Sequence, residues 1–475
     1  MTVDAFSSAV AMRKALSAGV VSPVDLLELH AQRIERHNPA LNAIVIDGLA
    51  HAREAARSAD ITTPLGGLPM TIKDVMNVNG LPSTGGGAMP LDNIAQADAR
   101  AVANLRAAGA VIMGKTNTPT FAADWQTTNE LFGVTNNPWD FARTPGGSTG
   151  GGAAAVAAGL SPLELGSDIG GSIRIPAAFC GIYGHKPSEG IVPRSGGFAS
   201  PYTNAATGLA VWGPLARDAR DLELALDCLV GPDLGFEPAW RVDLPPARHE
   251  RLADIRVAML PLPDWLPIQR EIADAMASLA SDLARCGVSV REVNPEAWGD
   301  MQAIYRTYRS TMFAITSAGW SDERRAQELA DADGNEDAFA VADKLGMAAG
   351  AGQYIAWFGE RERYRETYRR FFQDVDLLIC PAAPVLAFHH DERPWLARRL
   401  DIDGVAIDYL HICFFSGLAT LCGQPSTAFP CGLSADGLPV GLQAIGPFLE
   451  DRTTIRFAEL LAAERGGFQP PKGYH

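Results

Sequence analysis

Residues 143–187 read RTPGGSTGGGAAAVAAGLSPLELGSDIGGSIRIPAAFCGIYGHKP. Two glycine-rich turns stand in this stretch, and each delivers one serine. Gly146-Gly147-Ser148-Thr149-Gly150-Gly151-Gly152 supplies Ser148, and Asp168-Ile169-Gly170-Gly171-Ser172-Ile173-Arg174 supplies Ser172. The serines lie 24 residues apart, with an Ala-rich helix-prone segment (residues 148–158) and a short apolar run (residues 163–165) between them. Glycines beside a serine let the backbone approach a substrate closely and turn its N–H groups toward one point. A nucleophile for acyl transfer, with an oxyanion hole beside it, requires that arrangement.

Working outward, residues 65–78 predict a short strand carrying Lys73, in Gly67-Leu68-Pro69-Met70-Thr71-Ile72-Lys73-Asp74-Val75. Ser22-Pro23-Val24-Asp25 predicts a helix start: serine caps, proline takes the first helical position and aspartate favours the positive end. Asn38-Pro39 is expected to stop that helix, with a strand over residues 41–46. Residues 97–108 predict a helix ended by Gly109, then a strand over 110–113. The Pro/Gly-rich residues 231–246 mark a surface excursion or a boundary between lobes. Beyond it a strand (255–260), an amphipathic helix through Ile272, Met276, Leu279, Leu283 and Cys286, and a strand at 288–293 form a second βαβ unit. Residues 298–372 read as helical, and 374–380 and 439–445 as strands. The alternation predicts an α/β architecture with a mixed sheet.

The chain has 475 residues, 47% of them hydrophobic, which is enough for a large core, and a net charge of −15 without a long basic run. That balance argues against nucleic acid or an anionic membrane surface as the main partner. The acidic run Asp331-Ala332-Asp333-Gly334-Asn335-Glu336-Asp337 reads as a solvated loop or helix end. Seven cysteines, at 180, 228, 286, 380, 413, 422 and 431, form no C-x-x-C pair and no zinc pattern. Their scatter suits reduced, buried thiols in a reducing compartment. Residues 1–20 lack a continuous apolar core of a signal peptide, and no run of about 18 apolar residues predicts a spanning helix. A cytoplasmic location is expected.

Ser172 is the candidate nucleophile, and a serine hydroxyl needs a base within hydrogen-bond reach. None of the nine histidines stands in a nucleophile-elbow context. Lysine serves as a base when burial depresses its pKa, and Lys73 lies in an apolar strand. Its ordinary alternative is an ion pair with neighbouring Asp74. Ser148 is either the cap of the helix that follows or a bridge between Lys73 and Ser172.

Lys73, Ser148 and Ser172 at these spacings, with Asn136-Asn137-Pro138-Trp139 and Gly437-Leu438-Pro439-Val440-Gly441-Leu442-Gln443, closely resemble the amidase signature family. The likeness runs from about residue 10 to 465. It implies a large mixed β-sheet covered by helices on both faces, in one domain spanning 1–475. A signature core of about 65–215 and a second α/β portion of about 250–470 would share one sheet. It implies a Ser–cis-Ser–Lys triad of Ser172, Ser148 and Lys73, with the backbone N–H groups of Ile169, Gly170, Gly171 and Ser172 as the oxyanion hole. No metal or organic cofactor is implied. Thr149 stands where the family more often has serine.

In relatives, the segment holding Trp125 and Gln126 lines the acyl-side pocket, and Tyr305, Tyr308, Phe313 and Trp357 are candidates for the other wall. Together they suggest a small apolar or aryl amide as substrate. Asp168 and Arg174 are expected to brace the loop, with substrate-carboxylate binding the alternative for Arg174. Cys180 is expected to be buried. Family habit implies a homodimer. The alternative within the family is the glutaminase-type subunit of a tRNA-dependent amidotransferase. Such subunits usually carry glutamine after Ser-Ile-Arg and then Tyr-Gly-x-Val-Ser-Arg, where this chain has Ile175 and Ser188-Glu189-Gly190-Ile191-Val192-Pro193-Arg194.

Overall fold

Alternating apolar residues along the strands decide where the layers form. Met70 and Ile72, Leu163 and Leu165, Val257 and Met259, Leu377 and Ile379, and Leu442 and Ala444 belong to one buried cluster. Their strand neighbours Ala258, Leu378, Cys380 and Ile445 belong to another. Successive strand residues point to opposite faces, so the two clusters lie on the two sides of one sheet. Helices Ala219–Leu229, Arg270–Arg285 and Asp451–Arg465 cover the first side. Met301–Thr316 and Phe414–Cys422 cover the second, where Gly150–Ala157 and Arg174–Cys180 also pack.

The computed structural model describes residues 3–197, 208–293, 299–334 and 336–474. Among these, 11 strands join in one sheet. From edge to edge they are Ile44–Asp47, Val111–Thr116, Pro69–Lys73, Leu163–Asp168, Val211–Ala216, Tyr183–Lys186, Ser426–Leu433, Pro439–Ile445, Leu377–Pro381, Arg256–Met259 and Ser289–Glu292. Pro69–Lys73 runs parallel to both its neighbours, the middle of the sheet is antiparallel, and the last three strands are parallel. The sheet is mixed, as the alternation of elements predicts.

Local chemistry explains most element boundaries. Ser22 and Asp25 form a reciprocal capping box at the start of Pro23–Leu41. That helix does not stop at Asn38-Pro39. Pro39 lies inside it, in its last turn, and the helix ends at Asn42 in a left-handed conformation. The Asn38 amide then accepts from Ala43 and Ile44 N–H and donates to the Ile44 carbonyl, splicing helix to strand. The expected helical stretch 298–372 is four helices, Met301–Thr316, Asp322–Asp331, Ala338–Met347 and Ala351–Asp374. Within the acidic run Asp337 caps one of them, accepting from Phe339 and Ala340 N–H; Asn335 lies outside the described residues. Among the described residues no helix is long and apolar enough to cross a membrane.

Candidate active site

The third and fourth strands of the sheet, Pro69–Lys73 and Leu163–Asp168, bring three of the expected residues together. Lys73 ends the strand Pro69–Lys73, on the face opposite Met70 and Ile72. The adjacent strand Leu163–Asp168 leads into the Ser172 turn. The helix Gly150–Ala157 packs over both strands, and Ser148 precedes it. This helix must come very close. A Cβ on Gly152 would lie 2.4 Å from the Glu164 side chain, and one on Gly151 2.5 Å from the Asn117 backbone. The Gly147–Ser148 peptide bond is cis, as the resemblance implies.

Lys73 is fully buried, and its Nζ meets three hydroxyls: Ser148 Oγ at 2.6 Å, Ser167 Oγ at 2.9 Å and Thr149 Oγ1 at 3.1 Å. Burial pushes its pKa down to about 7, against the pull of the Glu164 and Asp168 charges. The expected ordinary partner, Asp74, turns away. It pairs with buried Lys115 at 2.5 Å and accepts from Thr84 and Gly86 N–H. Ser148 is not the helix cap: Thr149 holds that position, without a side-chain capping bond. The Thr149 hydroxyl donates to the Ser167 carbonyl at 3.3 Å, so it accepts from Lys73. An amine without its extra proton has two N–H donors and one lone pair. One of the Ser148 and Ser167 hydroxyls then donates into that lone pair.

Glu164 is a buried carboxyl on the same sheet face, paired in register with Thr71 two residues before Lys73. Thr116 Oγ1 donates to it at 2.6 Å. Burial pushes Glu164 up to about 7 despite that bond and the nearby lysine charge.

Asp168 and Arg174 shape the Ser172 turn. The Asp168 carboxylate accepts from Gly171 N–H at 2.9 Å and Ile173 N–H at 3.1 Å, and takes two bonds from the Arg174 guanidinium, at 3.0 and 2.9 Å. Burial alone would raise its pKa, but the Arg174 charge and these bonds hold it below the usual carboxylate range. Arg174 spends its other N–H groups on the Ser416 carbonyl, Gln443 Oε1 and Thr420 Oγ1. No donor remains for a substrate carboxylate, so the bracing reading holds.

Ser172 is buried except for a small opening, 6% exposed. Its carbonyl accepts from Thr149 N–H at 3.1 Å, which fastens the two serine loops together. Of the four expected oxyanion amides, that of Gly171 is already committed to Asp168. Those of Ile169, Gly170 and Ser172 make no hydrogen bond among the described residues.

The polar groups of the expected pocket residues Trp125 and Gln126 bond to backbone. The Gln126 amide donates to the Asp391 carbonyl and accepts from Asp391 N–H, at 3.0 and 2.9 Å, which closes both of its polar ends on backbone. The Trp125 indole N–H donates to the Gly170 carbonyl at 2.7 Å, and its ring packs edge-on against Tyr409. Tyr305, Tyr308, Phe313 and Trp357 are all buried, the first three in the second core cluster. Of these four, Tyr308 reaches the Ser172 turn, donating to the Ile169 carbonyl at 2.9 Å. Sequence reasoning missed Ser167 as a contact of the site, and it named Thr149 only as a departure from the family's serine and Tyr308 only as a candidate pocket wall, not as a partner of the Ser172 turn. Ser167 stands beside Asp168 at the strand end, which was the available signal. Tyr308 is 136 positions from Ser172 and carries none.

Cys180 is buried, its thiol pushed well up by burial and its Sγ bonded to the Pro145 carbonyl. Among the described residues no group of three or more His, Cys, Asp or Glu side chains is arranged to hold a metal ion. A surface cavity of about 580 Å³ beside Arg248, Arg256 and Asp376 lies apart from Lys73, Ser148 and Ser172.

A mixed sheet here presents a buried lysine against Ser148 on a glycine-rich turn. The Amidase family model matches residues 25–455, and the chain belongs to that family of amide-hydrolysing enzymes. It is 35% identical to a glutamyl-tRNA(Gln) amidotransferase subunit of Thermus thermophilus, over 94% of this chain and 95% of that protein. It is 32% identical to an acylamidase of Rhodococcus erythropolis, over 96% and 95%. The solved structure of a 6-aminohexanoate cyclic dimer hydrolase with its substrate superposes with a TM-score of 0.82 at 28% identity, covering 100% of both chains.

Proposed function

We propose that this chain hydrolyses small apolar or aryl carboxylic amides through an acyl-enzyme on Ser172, with neutral Lys73 as the base and Ser148 as the relay. The observation that carries the reading is the buried Lys73 amine 2.6 Å from Ser148, on a loop bonded directly to the Ser172 carbonyl. Ser172 Oγ attacks the amide carbonyl. Its proton passes to Ser148 Oγ as the Ser148 proton passes to Lys73 Nζ. The carbonyl oxygen takes up negative charge facing the unpartnered N–H groups of Ile169, Gly170 and Ser172, each such donor typically contributing about 2.7–4 kcal/mol to the transition state. The C–N bond then breaks, and the proton held by Lys73 returns through Ser148 to the leaving amine. Water, deprotonated along the same route, attacks the ester carbon, releases the acid and restores Ser172. Residues 1–475 would act as one catalytic domain, in a homodimer located in the cytoplasm.

The similarity to an acylamidase supports an acyl amide as substrate. The similarity to the amidotransferase protein favours a second reading, glutamine hydrolysis within a complex. Ile175 and the run 188–194 depart from the usual pattern of those proteins, which favours the first. Intact-protein mass after exposure to a serine-acylating probe tests the chemistry: one adduct on wild type and none on Ser172→Ala. Rates on anilides, alkyl amides and glutamine with the free chain then separate the readings. Turnover of glutamine alone would sink the first.

A further inference from the structure

Each peptide plane from Ile169 to Ile173 is held by an identifiable partner. A peptide carbonyl and the N–H of the next residue point in opposite directions in one plane, so fixing the carbonyl aims the amide. The 170–171 plane is pinned at both ends, by the Trp125 indole on the Gly170 carbonyl and by Asp168 on Gly171 N–H. The 172–173 plane is also pinned at both ends, by Thr149 N–H and Asp168. The 171–172 plane is held at its carbonyl by Ile175 N–H at 2.7 Å, which leaves Ser172 N–H free. The 169–170 plane, whose Gly170 N–H is free, is held at its carbonyl by the Tyr308 hydroxyl.

We infer that Tyr308 is a positioning residue: its hydroxyl, seated on the Ile169 carbonyl, aims the Gly170 amide at the oxyanion, and Trp125 steadies the next plane. The inference rests on the proposed acyl-enzyme at Ser172. Tyr308 is itself fixed. Its ring stacks on Tyr305 at 6.1 Å, its hydroxyl also touches Met312 Sδ at 3.3 Å, and a Cβ on Gly417 would lie 2.6 Å from the ring. Gly170 leaves the contact open from the other side, since a Cβ there would stand 3.2 Å from Trp125 and 3.5 Å from the Tyr308 oxygen. An oxyanion donor acts on the transition state and adds little to ground-state binding. Misaiming Gly170 therefore lowers kcat and leaves KM near its starting value.

The experiment compares wild type, Tyr308→Phe, Trp125→Phe, Tyr368→Phe and Ser172→Ala, each checked by thermal unfolding. Tyr368→Phe is the matched control, because that hydroxyl is also buried but donates to the Leu418 carbonyl rather than to the turn. Kinetics on an anilide are joined by the affinity of an alkylboronic acid, whose tetrahedral adduct carries the oxyanion. Tyr308→Phe is expected to lower kcat roughly 10- to 100-fold, less than the roughly 10²–10³-fold cost of deleting an oxyanion donor outright. KM should move less than about threefold, and boronate affinity should fall in step with kcat. Trp125→Phe should lose less, since Asp168 still holds its plane, and Tyr368→Phe should stay within about threefold of wild type. A Tyr308→Phe variant with unchanged kcat, a loss confined to KM, or an equal loss in Tyr368→Phe overturns the inference while Ser172 stands. Activity that survives in Ser172→Ala overturns the acyl-enzyme reading, and this inference with it.

Discussion

Lys73 couples one proton to the proposed reaction. Burial lowers its pKa to about 7, so the amine passes from charged to neutral as pH rises through that value. The neutral form is the base. The kcat/KM of an anilide should therefore rise with pH through about 7 and flatten above it, with about a tenth of the plateau left one unit below. Lys73→Arg should abolish turnover across the whole range, because a guanidinium keeps its proton. A profile that stays level from about pH 5 to 9 would remove Lys73 from the role of base. The three residues of this centre were legible in the sequence because glycine-rich turns and an apolar strand around a lysine are local patterns. Their surroundings were not. Asp74 stands next to Lys73 in the chain, but neighbours in a strand point to opposite faces, and the true partner of Asp74 is Lys115, one strand away. The oxyanion set also narrowed on contact with the structure, since nothing in Gly170-Gly171 reveals that Asp168 takes the second amide.

At the scale of the element, the turn between Leu163–Asp168 and Arg174–Cys180 depends on one buried ion pair. Asp168 accepts four bonds, two from backbone and two from Arg174, and both side chains are fully buried. Removing one charge strands the other in the interior, which typically costs about 3–5 kcal/mol. Asp168→Asn is expected to lose stability of that order in urea unfolding, and acylation at Ser172 with it; a loss under about 1 kcal/mol would show that the pair is dispensable. The element scale also shows which strands escaped sequence reading. Val211–Ala216 carries Gly213-Pro214 and lies inside the sheet, and Ser426–Leu433 carries Pro430. Proline removes a ladder donor and argues against a central strand, so pattern reading passes over both. Tyr183–Lys186 contains His185 and Lys186, which are buried all the same. His185 bonds Thr427 and Asp451, and Lys186 donates to the Pro187 and Gln424 carbonyls.

The sheet joins the two halves of the chain at one seam, Tyr183–Lys186 against Ser426–Leu433. The first half supplies Lys73, Ser148 and Ser172, and the second half supplies part of what holds the Ser172 turn in place. Three of the Arg174 bonds end on Ser416, Thr420 and Gln443, and the Ile169 carbonyl rests on Tyr308. The first core cluster likewise mixes Leu68, Leu163 and Leu226 with Leu279, Ile379 and Ile455. A polypeptide of residues 1–245 would expose that cluster and leave the buried guanidinium short of acceptors, at a cost of several kcal/mol for the unpaired groups. Produced alone, it should neither unfold cooperatively nor take an acyl adduct at Ser172. Produced together with residues 246–475, it should regain both, because the cut falls in the Pro/Gly-rich excursion outside the sheet. Acylation of the isolated first half at the wild-type rate would mean that the turn keeps its shape without the second half, and that the seam serves only stability.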